Sequence, residues 1–242
     1  MPIQTGSPEP NRLLHALSSA DRNGLLDASE AVQLDFSQVI CAPGQHIDHV
    51  YFPLDSFISL LAELDDGNSV EVGMIGREGM FGMDLVLGVA ESGVRAIVQG
   101  AGSALRVPAA AFRAQLESGP ALRRLMNRYS AVLIAQLTRT SACNGFHKID
   151  QRLARWLLMC ADRSSSDRIH LTQRFLAYML GVRRVGVTLA ASDLQERRLI
   201  DYTRGRIRIL DRQGLQAMAC SCYQADLDAY ARLLGRAQAS ET

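Results

Sequence analysis

The sequence predicts an α+β chain in three parts: an N-terminal antiparallel β jelly-roll domain, a long helix, and a C-terminal winged helix-turn-helix domain. Three observations predict it. From Val32 apolar residues alternate with polar ones and turn signals recur at short intervals, the pattern of short antiparallel strands. From Leu122 to Thr140 the apolar positions step by four and three, the pattern of a helical seam. From Leu171 to Leu210 two helical patterns meet at a glycine and give way to a basic, alternating strand pair.

The chain has 242 residues, which suggests two domains. Hydrophobic residues make up 48% and charged residues 21%, enough for each domain to bury a core. The net charge of +1 conceals a division. Residues 1–118 carry six basic and fifteen acidic side chains, whereas residues 119–242 carry twenty and ten. The acidic half is excluded as a nucleic-acid surface, and the basic half is suited to be one. Residues 1–11 are polar and lack the pattern of a signal peptide, and no apolar run approaches the roughly 18 residues of a membrane span. The expectation is a cytoplasmic protein without a membrane partner, its five cysteines reduced. Cys220-Ser221-Cys222 has no ligand-rich neighbour in sequence, so it reads as a buried helix end rather than a metal or redox site.

Residues 12–30 read as two short helices, with Leu13, Leu14, Leu17, Leu25 and Leu26 apolar and a capped start near Ser18 or Ser19. Val32, Leu34 and Phe36 then alternate, and turns are expected at Pro43-Gly44, Asp55-Ser56 and Asp65-Asp66-Gly67. Strands are expected at Val50 to Phe52, Phe57 to Leu61, Val70 to Ile75, Val94 to Val98 and Ala104 to Val107, so the β-domain covers 12–118. Ser118-Gly119-Pro120 closes it. Pro120 suits a first helical position, where its missing N–H costs nothing. The helix of 119–144 carries the seam Leu122, Met126, Tyr129, Leu133, Gln136 and Thr140, beside a second stripe of Leu125, Val132 and Leu137. Two stripes ask for two partners, so this is read as a dimerisation helix in a homodimer rather than one packed only on its own domain. Asn144-Gly145 is expected to break it, and 145–242 forms the last domain, opened by a helix with Leu153, Trp156, Leu157 and Met159.

In that domain Thr172 is a candidate N-cap, and Leu171 can staple onto Leu176. Phe175, Leu176, Met179 and Leu180 make one apolar face, and Gly181 supplies the turn. A second helix is expected over 184–196, with Val187, Ala190, Ala191 and Leu194 buried. Leu199 to Tyr202 and Arg206 to Leu210 read as a strand pair joined through Thr203-Arg204-Gly205, with Arg206 and Arg208 outward. Residues 183–212 hold eight arginines against Asp193, Glu196, Asp201 and Asp211. Such a basic winged helix points to double-stranded DNA as the partner. One or two helices follow, over 213–234.

A β-domain, a long helix and a winged helix in this order resemble the Crp/Fnr family of bacterial transcription regulators. The resemblance is carried by 50–82 (VYFPLDSFISLLAELDDGNSVEVGMIGREGMFG), 146–158 (FHKIDQRLARWLL) and the helix-turn-helix, and it spans nearly the whole chain. It implies a homodimer on palindromic promoter DNA, an N-terminal domain that senses a small-molecule or redox signal, and RNA polymerase as a further candidate partner. It also implies DNA contacts from Thr172, Gln173, Arg183, Arg184, Val185, Thr188, Leu189, Ser192, Arg204 and Arg206. An effector pocket is implied around Gly76, Arg77, Glu78, Gly79, Met80, Phe81, Gly82 and Arg95.

The chain departs from the family in three places. Cyclic-nucleotide members place Gly-Glu-Leu and then an Arg-Ser-Ala or Arg-Thr-Ala around the phosphate; here Gly76-Arg77-Glu78-Gly79 puts arginine where the glutamate belongs, and Ser92-Gly93-Val94 lacks the arginine. A cyclic phosphate needs a guanidinium fork with backbone amides, so cyclic AMP is not the expected effector. The N-terminal four-cysteine cluster of the iron–sulfur sensors is missing, and a strand over His46-Ile47-Asp48-His49 would put His46 and Asp48 on one face and His49 on the other, so neither a metal nor another cofactor is expected. In the recognition helix Arg184 matches the family's first arginine, but Val185 and Leu189 replace the glutamate and second arginine. Outward apolar residues there would meet thymine methyls rather than guanine edges. A metal-dependent jelly-roll enzyme would need a clustered ligand set, for which the β-half offers only His46, His49 and scattered carboxylates. A signalling adaptor that does not bind DNA would leave the basic wing unexplained. A non-enzymatic regulator is the expectation.

Overall fold

The computed structural model describes residues 11–65, 67–164, 168–203 and 205–235. They form two compact units, one built on residues 11–59 and 75–131, the other on 60–74 and 132–233. No helix among the described residues is long and apolar enough to cross a membrane.

The first unit opens with α1 (Arg12–His15) and α2 (Ser19–Asp27). Asn11 caps α1: its Oδ1 accepts from the Leu13 and Leu14 amides, while its Nδ2 donates to the Pro53 and Gly79 carbonyls. Ser18 caps α2 through the Asp21 amide. The strands are β1 (Glu30–Leu34), β2 (Val39–Cys41), β3 (His49–Pro53), β4 (Phe57–Glu63), β5 (Ser69–Ile75), β6 (Arg95–Gly100) and β7 (Gly102–Pro108), with α3 (Met83–Val86) between β5 and β6. They make a sheet of order β1-β7-β3, antiparallel throughout, and a second of order β2-β6-β4-β5. Inward residues meet ring on ring: Phe52 and Phe112 stand edge to face with centroids 6.4 Å apart. Phe36 falls outside β1 and is exposed, because the chain turns at Asp35 to Gln38 and Ser37 takes a positive φ of 64°.

Two helical features were not expected. After β7 the chain forms α4 (Ala109–Ser118), which buries Phe112 and Leu116, one helical turn apart. The long helix α5 (Pro120–Phe146) runs straight through Asn144-Gly145, so the expected break moves past Phe146. Gly145 costs a helix about 1 kcal/mol of propensity, and the next amide but one, of His147, still bonds the Cys143 carbonyl at 3.1 Å. At 1.5 Å per residue α5 is about 40 Å long.

The second unit contains α6 (Ile149–Arg163), β8 (Arg168–His170), α7 (Gln173–Leu180), α8 (Arg184–Glu196), β9 (Ile200–Thr203), β10 (Arg206–Ile209), α9 (Arg212–Met218) and α10 (Cys222–Leu234). The wing is a three-stranded antiparallel sheet of order β8-β10-β9, one strand more than its sequence suggested. α6 buries Leu153, Trp156 and Leu157, and the indole Nε1–H of Trp156 donates to Glu71 Oε1 at 2.9 Å. Asp226 on α10 accepts from Arg155 Nη2 at 2.7 Å and from Arg139 on α5. Buried charge is thus held in a bonded triad rather than left bare.

Candidate nucleic-acid interface

Local chemistry positions the helix pair. The Thr172 hydroxyl accepts the Phe175 amide at 3.2 Å and starts α7. Gly181 ends it in the left-handed region, φ 61° and ψ 40°, and a Cβ there would also lie 2.9 Å from Val70 Cγ2. The turn therefore needs glycine for its backbone and for its packing. α8 occupies the expected residues, with Arg183 as its N-cap residue. Val187, Ala190, Ala191 and Leu194 are buried, and Gly186 lets Ile149 approach, since a Cβ would meet its Cδ1 at 2.7 Å.

The opposite face of α8 is open. Arg183, Arg184 and Ser192 are exposed, as are Val185 at 69% and Leu189 at 67%. Only Phe146 exceeds those two among the exposed large hydrophobic residues described. Apolar side chains so exposed on a helix bearing two arginines at its start have no packing role within the chain. Thr188 does have one: its hydroxyl lies 3.0 Å from both Gln173 Oε1 and the Arg184 carbonyl, and these two acceptors share its one proton. Thr188 and Gln173 thus brace α7 against α8 while both stay partly exposed. Thr172 remains exposed at the N-terminus of α7, where unpaired amides and the helix dipole favour anions.

In the wing Arg206 and Arg208 point outward around buried Ile207. Tyr202 anchors it, its hydroxyl donating to the Leu171 carbonyl at 3.0 Å, and burial pushes that phenol above its ordinary pKa against the opposing pull of Arg184. Arg204 lies outside the described residues. Arg197 Nε grips both oxygens of Asp193, already in the sequence count, at 3.0 and 2.9 Å, whereas Arg212 pairs with Asp162 outside that stretch, which lowers the local arginine excess.

The expected dimer seam is corrected. Leu122, Met126, Tyr129, Leu133, Gln136 and Thr140 are all 0–9% exposed in the single chain. Tyr129 donates to the Met80 carbonyl at 3.2 Å, and Gln136 Oε1 accepts the Met74 amide at 2.9 Å. Of the second stripe Leu125 and Val132 are buried too. What α5 leaves open is a different heptad, Asn127, Ala131, Ile134, Thr138, Ser141 and Gly145, with Ile134 54% exposed. Hydrophobic spacing could not single it out, because this face carries one large apolar residue.

The expected effector loop is tightly packed. Met80 and Phe81 are core residues rather than pocket lining, and Phe81 exchanges backbone bonds with Tyr51. Gly79 faces Tyr129, whose hydroxyl would lie 2.2 Å from a Cβ, and Gly82 takes φ 103° against Val50. Three loop amides are already bonded, Gly76 to Glu78 Oε1 at 3.2 Å, Gly79 to the Gly76 carbonyl and Phe81 to the Tyr51 carbonyl. The half-buried Asp84 carboxylate accepts the Gly93 amide, where the family's fork is missing, and burial raises its pKa. Arg77, Glu78 and Arg95 flank the loop half-buried. His46 Nδ1 sits 3.2 Å from Asp48 in an exposed pair.

Two sheets carrying a glycine-rich loop, followed by a long helix and an open recognition helix with a wing, define a regulator with an effector-type domain and a DNA-binding domain. Residues 32–118 match the model of the cyclic nucleotide-binding domain, and residues 151–218 that of the Crp-like helix-turn-helix domain. The chain belongs to the Crp/Fnr family of transcription regulators. It is 25% identical over 183 residues to the global nitrogen regulator of Nostoc sp. (strain PCC 7120), covering 72% of this chain and 82% of that one. Its fold is similar to that of FixK2 from Bradyrhizobium japonicum, with a TM-score of 0.67 and 16% identity over 80% of this chain and 98% of that one. A CRP/FNR-family transcriptional regulator from Thermus thermophilus aligns with a TM-score of 0.63 and 21% identity over 79% of this chain and 99% of that one.

Proposed function

We propose that the protein acts as a homodimer on a palindromic DNA site, entering the major groove with α8 and laying the wing on the backbone. The observation that carries this reading is the α8 face itself, where Val185 and Leu189 stand exposed beside Arg183 and Arg184. Apolar residues at those positions match thymine methyl groups, and Arg184 suits a guanine edge. Arg206 and Arg208 suit phosphates. The dimer forms through the open heptad of α5 around Ile134, and a helix-turn-helix dimer reads half-sites about 34 Å apart along the duplex. RNA polymerase is the partner on which a promoter-bound dimer would act. Sedimentation with mobility shifts on genomic fragments tests the proposal: Ile134→Glu should give folded monomers that bind DNA far more weakly. A wild type that is monomeric at micromolar concentration and still shifts a palindrome would overturn it.

The effector reading is that no cyclic nucleotide switches this protein. A buried phosphate needs a cation and free donors, and here Asp84 already holds the Gly93 amide while the loop amides of Gly76, Gly79 and Phe81 are bonded within the protein. Calorimetry with cyclic AMP and cyclic GMP should show no micromolar binding. Binding that Arg95→Ala abolishes would refute this reading.

A further inference from the structure

Four soft ligand groups that sequence order keeps far apart converge in the second unit. Cys143 lies on the last turns of α5 and His147 one turn on, just past the helix end. Cys220 and Cys222 stand at the junction of α9 and α10. Their ligand atoms all lie within 4.8 Å of one another. Cys143 Sγ is 3.5 Å from Cys220 Sγ, and Cys222 Sγ is 3.6 Å from His147 Nδ1. The three cysteines are buried and unoxidised, and the histidine is half-buried, with a nitrogen turned to the sulfurs.

We propose that Cys143, His147, Cys220 and Cys222 form a tetrahedral site for one thiophilic divalent cation of the zinc class. The distances carry the assignment. Zinc binds thiolate at about 2.3 Å and imidazole at about 2.0–2.1 Å. The edges of such a tetrahedron are about 3.8 Å between two sulfurs and about 3.6 Å between sulfur and nitrogen. The two closest pairs already stand near those edges. A disulfide requires sulfurs at about 2.05 Å, far closer than Cys143 and Cys220. In an iron–sulfur cluster the ligands are divided among different irons, which spreads them beyond a single tetrahedron edge.

The surrounding charge points the same way. Three thiolates and an imidazole on a divalent cation leave a net charge of about −1. Arg152 and Arg155, both buried, line the same cavity as Cys143. Arg155 shares Asp226 with Arg139, whereas Arg152 donates to the Leu180 carbonyl, a neutral acceptor. An anionic metal–thiolate centre would add countercharge beside these buried guanidinium groups, next to that of Asp226 and the buried Glu71. On binding, each ligand still protonated releases its proton to solvent.

The consequence is architectural. The segment between His147 and Cys220 contains α6, α7, α8 and the whole wing. A bound cation therefore closes the DNA-binding module at its base, joining the end of α5 to the start of α10. Occupancy would set the stability of that module, and oxidants or chelators would act on it through these ligands.

The test begins with the full-length, reduced wild type. Dialysed against zinc and then buffer, it should retain about one zinc per chain. With cobalt(II) it should develop thiolate-to-metal charge-transfer bands and the intense d–d absorption of a tetrahedral centre. Mass spectrometry after alkylation should show metal protecting Cys143, Cys220 and Cys222, with Cys41 and Cys160 unaffected. Cys143→Ser and Cys222→Ser should lose stoichiometric metal, whereas His147→Cys should keep it with a shifted cobalt spectrum. Wild-type protein that takes up neither metal from micromolar solution, or that forms a Cys143–Cys220 disulfide and leaves metal unbound when reduced, overturns the proposal even if the variants fail to fold. So does a variant lacking all three cysteines that binds cobalt with the same spectrum.

Discussion

Replacing Asp226 with alanine takes away the carboxylate that lies between two guanidinium groups. The Arg139 side chain is 24% exposed and can turn to water, but that of Arg155 is 6% exposed and cannot. Besides Asp226, Arg155 keeps a neutral acceptor, Thr140 Oγ1 at 3.1 Å from Nη2, while its Nε has none among the described residues. The loss is that of a buried charge stripped of its partner, about 3–5 kcal/mol, rather than the 0–1 kcal/mol of a surface pair. Removing both charges with volume kept, as Arg155→Met with Asp226→Leu, should cost under about 1.5 kcal/mol. Urea unfolding followed by fluorescence gives the readout, because Trp156 is the chain's one tryptophan and adjoins Arg155 on α6. At a slope of about 1–3 kcal/mol per molar urea, Asp226→Ala should lower the midpoint by about 1 M or more without changing the slope. A single variant within about 1 kcal/mol of wild type, or a double variant less stable than the single one, would refute the view that the pair is desolvated and mutually dependent.

Arg184→Ala should relax the preference for one base per half-site roughly ten- to hundred-fold, as read by selection from random DNA; an unchanged preference would remove Arg184 from the base-reading role. Arg206→Ala should weaken all sequences alike and reduce the dependence of affinity on salt by about one counterion, measured by titration at several salt concentrations. Asp84 gives a pH signature. Burial raises its carboxyl pKa in the folded state, so the folded protein binds that proton more readily than the unfolded chain. Its charged form costs stability at neutral pH, and the cost disappears as pH falls through the raised pKa. Asp84→Asn, which keeps an acceptor for the Gly93 amide, should be more stable than wild type at pH 7, with the difference closing toward acid. A difference that widened on acidification would contradict the assignment to burial.

The elements written in local chemistry were legible. Ser18 and Thr172 cap the helices that their types suggest, Pro120 is the first residue of α5, and Gly181 turns between α7 and α8. The charged and apolar residues of α8 were readable one by one, because a single turn of spacing fixes which side each takes. Features that depend on distant partners were not. β8 is a strand only because β10 pairs with it. The bond between Thr188 and Gln173 exists only because α7 and α8 bring residues fifteen positions apart within 3.0 Å.

The same distinction explains why two readings of α5 failed while the helix itself was found. A heptad of large apolar residues records that something covers that face, but not what covers it. Leu122, Met126 and Tyr129 are buried in the first unit, where Tyr129 reaches the Met80 carbonyl, and Leu133 is buried too, which leaves a sparse heptad centred on Ile134 open. Cys143 and His147 carried no signal at all, because their partners arrive 77 and 75 residues later from the turn between α9 and α10. A metal motif is visible in sequence when both ligand pairs are adjacent and regularly spaced. Here one pair straddles the end of the long helix α5 and the other lies in a two-residue step, and only the fold makes them one group.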